Sequence, residues 1–204
     1  MSAAGDAFTA AFGAPDPATP NGVRFSGFFT QEAWEELNAE IGSGWFMNGF
    51  LYLFGDQLES LRPCLDAWSF VVPPNPNRLI LGRTAYGAIF VLDNPGAKDE
   101  RVCIVDPFTV TYWSDPNSVF GNLIGRSLPE REFPDHILDA KPYEAWRKAN
   151  EVGRLEFDDV LGIKTPRPLG GKLDPDNFQL ESIIDYYQTT APIYAKAFAT
   201  LNKR

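Results

Sequence analysis

The sequence predicts an α+β fold, with a central, mainly antiparallel β-sheet flanked by N-terminal and C-terminal helices. Three apolar runs carry the sheet: Arg78 to Ala85, Ala88 to Asp93 and Arg101 to Asp106. They are rich in Ile, Val, Leu and Phe, which suit a pleated surface covered on at least one face. Turn chemistry separates them, with Tyr86-Gly87 in the first gap and Asn94-Pro95-Gly96 in the second. A fourth run, Thr109 to Trp113, follows the Asp106-Pro107 turn. Segments with helical spacing lie on both sides of this block and supply its cover.

In chain order, Ala7, Phe8, Ala11 and Phe12 predict a short helix over Ala3–Phe12, ended by Gly13. Pro15, Pro17 and Pro20 stiffen the connector, and Asn21-Gly22 reads as a turn before Val23 to Phe29. Thr30 suits an N-cap, with Trp34, Leu37 and Ile41 on one face of the helix it opens and Gly42-Ser43-Gly44 closing it. The aromatic stretch Trp45 to Phe54, interrupted by Gly49, reads as a buried strand pair. Leu58, Leu61 and Leu65 predict a short helix over Asp56 to Leu65 that Pro63 limits or kinks.

Beyond the sheet, Val119, Phe120, Leu123, Ile124 and Leu128 have helical spacing, and residues 129–137 are charged and irregular. Pro142 to Val152 reads as a helix with proline near its start and Gly153 as its stop. Lys164 to Gly171, with two prolines and two glycines, is a shaped loop. Asp176 to Leu201 is expected to be one long or broken helix, with a boundary or kink at Pro192.

Composition bounds the function. A chain of 204 residues, 44% hydrophobic, can bury a core without disulfides. Cys64 and Cys103 are expected to be buried, reduced thiols of a cytoplasmic protein. No stretch has the roughly 20 apolar residues a membrane span needs. With 27 acidic against 18 basic side chains, the net charge of −9 repels phosphate backbones and suits a basic protein partner.

The sequence offers little for catalysis. His136 stands alone, which argues against a zinc site or a histidine-based triad. Gly82 to Gly87 lacks the order of a dinucleotide or phosphate loop. Asp158-Asp159 with Glu156 has the chemistry of a metal site or an acid–base pair, but adjacent acids on a strand face opposite ways, and a partner-facing edge fits better. Asp174-Pro175-Asp176-Asn177 looks like the start of a calcium loop but lacks its later glycine and closing glutamate, so capping is the better reading. Trp45, Phe46, Phe50, Tyr52 and Phe54 have no interleaved cations and are read as core. Arg78 and Arg83, in otherwise apolar surroundings, either pair with buried acids such as Asp93 or Asp106 or sit at an exposed edge. No cofactor is expected.

Several stretches resemble the bacterial GAD-like/DUF1851 family, which includes immunity proteins of type VI secretion. They are Leu81 to Asp93, Ile104-Val105-Asp106-Pro107, Leu155 to Gly162, Leu169-Gly170-Gly171 and Asn177-Phe178, together with Phe8 to Pro15 and the glycine-spaced Trp45 to Phe54. Ile163 departs from the aromatic that often follows Gly162 in that pattern. The resemblance implies a GAD-like region over 1–70 and a DUF1851-like region over 71–204, packed as one unit. It also implies an antidote that binds a cognate secreted toxin, a DNase effector, with no chemistry of its own. The expected contact residues are the acids Glu130, Glu132, Glu156, Asp158, Asp159, Asp174 and Asp176, with a neighbouring aromatic as anchor. The rival expectation is an enzyme or small-ligand binder with a pocket between the sheet and the C-terminal helix, using Arg83, Tyr86 and Asp106.

Overall fold

Six strands succeed one another in chain order across a single antiparallel sheet: β1 (Gly44–Phe46), β2 (Leu51–Leu53), β3 (Leu79–Thr84), β4 (Ile89–Asp93), β5 (Arg101–Asp106) and β6 (Thr111–Trp113). The computed structural model describes residues 3–24, 37–114, 123–124, 128–129 and 139–201. The predicted β3, β4, β5 and β6 are present, and the aromatic stretch forms the β1–β2 pair. Its turn is tight: Met47, Asn48 and Gly49 all take positive φ, the geometry that lets a three-residue connection reverse the chain. Gly87 does the same between β3 and β4 at φ 86°.

The registers align one row across the whole sheet. Trp45 opposes Tyr52, Tyr52 opposes Arg83, Arg83 opposes Ile89, Ile89 opposes Val105, and Val105 opposes Tyr112. Cross-strand partners share a face, so these six side chains form a transverse stripe. A second, two-stranded sheet pairs β7 (Asp159–Ile163) with β8 (Phe178–Ser182). It is joined to the β3–β4 turn where the Leu161 amide donates to the Ala85 carbonyl at 2.8 Å.

Among the described residues, α1 (Ala3–Phe12), α2 (Arg62–Ala67), α3 (Ala140–Ala149) and α4 (Ile183–Leu201) are helices, and residues 37–41 are helical as well, whereas Thr30 and Trp34 of the helix expected there lie outside the described residues. Phe8 of α1 packs edge-on against Phe46 at 5.2 Å. Trp68, just after α2, donates its indole N–H to the Tyr187 carbonyl of α4 at 3.1 Å, and its ring packs at a tilt against those of Tyr187 and Tyr194. Buried residues from Phe8 to Tyr194 form one contiguous core. Among the described residues no helix is long and apolar enough to cross a membrane.

Among the described residues, two elements differ from the expectation, and most of the helix expected over Val119 to Leu128 lies outside them. The helix expected over Asp56 to Leu65 is a 3₁₀ turn, Leu58–Leu61, that runs into α2, with Pro63 in its first turn. Proline there starts a helix because its missing N–H has no intrahelical partner to lose. The C-terminal segment does not enter its helix at Asp176: Pro175–Asn177 is a 3₁₀ turn, Phe178–Ser182 is β8, and α4 begins at Ile183. Five paired positions along β7 override the helical spacing of Phe178 and Leu180. Pro192 lies inside α4 and does not end it.

Both cysteines are buried free thiols. Arg78 is buried against Asp93, with Nε and Nη2 donating to the two carboxylate oxygens at 2.7 and 3.2 Å. Tyr112 donates to the same carboxylate and accepts from Arg78 Nη2 at 2.9 Å. The bidentate pair satisfies the charge that burial leaves behind.

Candidate protein-interaction site

The turn that leads into β7 builds the site. Asp159 N donates to the Glu156 carbonyl at 3.2 Å, and the Asp159 carboxylate accepts from Glu156 N at 3.4 Å. This tight turn points Phe157 inward, where its ring meets Tyr52 edge-on at 4.8 Å. Its neighbours Glu156 and Asp158 stay exposed. The Ile183 amide donates to the Asp158 carbonyl at 2.8 Å, so the start of α4 fixes the turn from the other side.

A cleft of about 490 Å³ opens beside the turn, walled by Trp45, Tyr52 and Phe157 and bordered by Arg154, Glu156 and Asp158. Trp45 and Tyr52 belong to the transverse stripe and lie edge-on to each other at 5.1 Å, so the aromatic wall is set by the rigid sheet. The Tyr52 hydroxyl is 3.2 Å from Thr19 Oγ1 at the far side of the cleft. Burial is the main reason the Tyr52 hydroxyl holds its proton above its ordinary range.

Behind this wall lies Arg83, with no solvent exposure. Its guanidinium carbon is 5.1 Å from the Trp45 ring centre and 5.5 Å from that of Phe157, within cation–π range of both. Nη2 donates to the Asp159 carbonyl, while Nε and Nη1 have no hydrogen-bond partner among the described residues. Loss of hydration lowers the Arg83 pKa to about 10, against the opposing fields of Cys64, Asp159 and Asp158. Burial in the same region pushes the Cys64 thiol up to about 12. The acidic turn therefore has a buried cation beneath it.

The structure brings together three of the acids expected from the sequence, Glu156, Asp158 and Asp159. Asp174 and Asp176 are exposed but lie at the other end of the β7–β8 ribbon, where Ile163 opposes Phe178. At about 3.3 Å per strand residue, the two groups are roughly 13 Å apart along the ribbon. Asp174 caps the local turn by accepting from Asp176 N at 3.0 Å, as its spacing suggested. Glu130, Glu132 and His136 lie outside the described residues. Among the described residues no three His, Cys, Asp or Glu side chains are grouped to hold a metal.

The structure gives Arg83, Tyr86 and Asp106 separate partners. The Tyr86 hydroxyl donates to the Asp139 carbonyl at 3.1 Å, and its ring packs on Phe50 and Phe178. Asp106 sits at the end of β5, next to Val105, so it faces away from the stripe that holds Arg83. Its carboxylate accepts from Phe108 N at 2.8 Å and from the Thr109 hydroxyl at 2.6 Å, which organises the turn into β6. A hollow does lie beside α4, but other side chains line it.

The packing of Phe157 on Tyr52, beside Trp45 in the cleft wall, and the place of Arg154 on the border were not evident from the sequence. The available signal was Phe157 itself, an aromatic set between exposed acids.

No family model matches the sequence, and no curated protein matches it. Among solved structures, the chain is similar to the crystal structure of Atu4351 from Agrobacterium tumefaciens, with a TM-score of 0.55 and 13% sequence identity over 91% of this chain and 87% of that one. At that identity the likeness is one of fold.

Proposed function

We propose that this chain is an immunity protein that binds and neutralises a cognate type VI secretion effector, a DNase, by protein–protein contact. The observation that carries the reading is the exposed acid pair, Glu156 and Asp158, on the border of a cleft walled by Trp45, Tyr52 and Phe157. Protein interfaces draw most of their affinity from aromatic anchor pockets ringed by polar groups. A DNase must present a basic surface to its substrate, and a chain of net charge −9 with acids at such a cleft complements that surface. The motif resemblance to GAD-like/DUF1851 immunity proteins supports the same class of partner. On this reading the chain works in the cytoplasm of the cell it protects and turns nothing over.

Co-expression with the nuclease encoded by a neighbouring gene tests the proposal. Rescue of growth together with a complex that survives size-exclusion chromatography is the expected result. A nuclease that kills regardless of this chain, and does not co-elute with it, would end the reading.

A further inference from the structure

A groove of about 1050 Å³ runs beside α4, walled by Val110, Leu169, Pro192, Ile193, Ala197 and Phe198. We infer that it is a docking site for an apolar segment of another protein that carries acidic side chains. Three observations lead there. Leu169 is 64% exposed, the most of any large apolar side chain among the described residues, and it stands at the lip of the groove. Val110 is held at φ 58°, a left-handed conformation that a β-branched side chain strongly resists. The Val110 amide donates to the Asp106 carbonyl at 2.9 Å, and the Asp106 carboxylate ties down the rest of the turn, so this strained residue is fixed as part of the wall.

The charge of the groove names the partner's chemistry. The chain carries −9 overall, yet the charged side chains lining this groove are Arg167 and Lys196. Both are exposed, and among the described residues neither is ion-paired. Arg167 is held over the Phe108 ring at 5.2 Å, and its backbone N–H donates to the Tyr194 hydroxyl at 3.4 Å, which ties the Arg167–Leu169 turn to α4. The nearby acid, Asp106, is already engaged by its own turn. An apolar floor with a basic rim is complementary to an apolar segment with Asp or Glu at its flanks. This surface is opposite in sign to the Glu156–Asp158 cleft, so it serves a different partner surface and does not depend on the proposed nuclease.

Panning a random dodecapeptide library on the whole chain, with the Leu169→Asp and Lys196→Glu variants as counter-selection, tests the inference. Both positions are exposed, and circular dichroism and melting curves compared with those of the parent chain are the control that each variant folds. The expected winners combine Leu, Ile or Phe with Asp or Glu, and a synthetic winner binds each variant at least about tenfold more weakly, the effect of losing one interfacial ion pair or anchor. Basic winners, or peptides that bind both variants as tightly as the parent chain, overturn it. So does self-association of the parent chain that Leu169→Asp abolishes, which would give the groove to a second copy.

Discussion

The Arg83 guanidinium lies 5.1 Å from the centre of the Trp45 ring, shut off from solvent, with two of its nitrogens unbonded among the described residues. A buried cation without a carboxylate partner is costly, and its volume contributes more to the core than its charge does. Arg83→Met keeps most of that volume and removes the charge, so it is expected to leave stability within about 1 kcal/mol of the parent or raise it. Arg83→Ala opens a cavity and is expected to cost about 2–4 kcal/mol. Urea melts decide, and equal losses in both variants would mean that the charge itself holds the stripe together.

Arg78 and Asp93 present the opposite case, a buried cation fully answered. Asp93→Ala strands the guanidinium and is expected to cost about 3–5 kcal/mol. Tyr112→Phe removes both hydrogen bonds that its hydroxyl makes to the pair and is expected to cost about 1–3 kcal/mol. A double-mutant cycle at Arg78 and Asp93 that showed no coupling would contradict the pairing.

Alkaline stability follows from the tyrosines. Burial raises the pKa values of Tyr86, Tyr112, Tyr186 and Tyr187 above the ordinary 10.0. As pH passes 10, the unfolded chain loses these protons first, so stability that is complete below 10 falls as pH rises further. Arg83 has the opposite sign: its folded pKa of about 10 lies below the ordinary 12.5, so its penalty is relieved over that interval. Four tyrosines outweigh one arginine. Tyrosinate absorbance should therefore appear together with loss of the circular dichroism signal. Absorbance from all the tyrosines near pH 10 with the fold intact would contradict it.

Val110 tests backbone strain. Asn tolerates positive φ better than Val, so Val110→Asn is expected to leave stability unchanged or raise it by up to about 1 kcal/mol. The same change at Val105, extended and buried in β5, is expected to cost about 3 kcal/mol or more. Comparable losses at the two positions in thermal melts would show that packing, not conformation, governs residue 110.

The sheet was legible because its strands are dense in β-branched residues and its turns carry Gly and Asn-Pro-Gly, so local chemistry and the fold agree. β8 was not. Phe178 and Leu180 fit a helical and a strand pattern equally, and the choice is made by pairing with Asp159–Ile163, which no local window contains. At the site, charge alone pointed to Glu156 and Asp158. It also pointed to Asp174 and Asp176, and only the hairpin register separates the two groups. That Arg83 lies behind Trp45 and Phe157 could not be read locally, because it requires the β1–β2–β3 register and the inward turn at Phe157 together.

On the proposed function the cleft bordered by Glu156 and Asp158 is the face that meets a basic toxin, and titration calorimetry of the purified nuclease against charge-reversed chains measures that contact. Glu156→Lys with Asp158→Lys is expected to weaken binding by about a hundredfold or more, with a shallower dependence on salt than the parent. Asp174→Lys with Asp176→Lys, at the other end of the ribbon, is expected to change affinity by less than about tenfold. Undiminished binding by the first pair, or equal losses from both pairs, would contradict it.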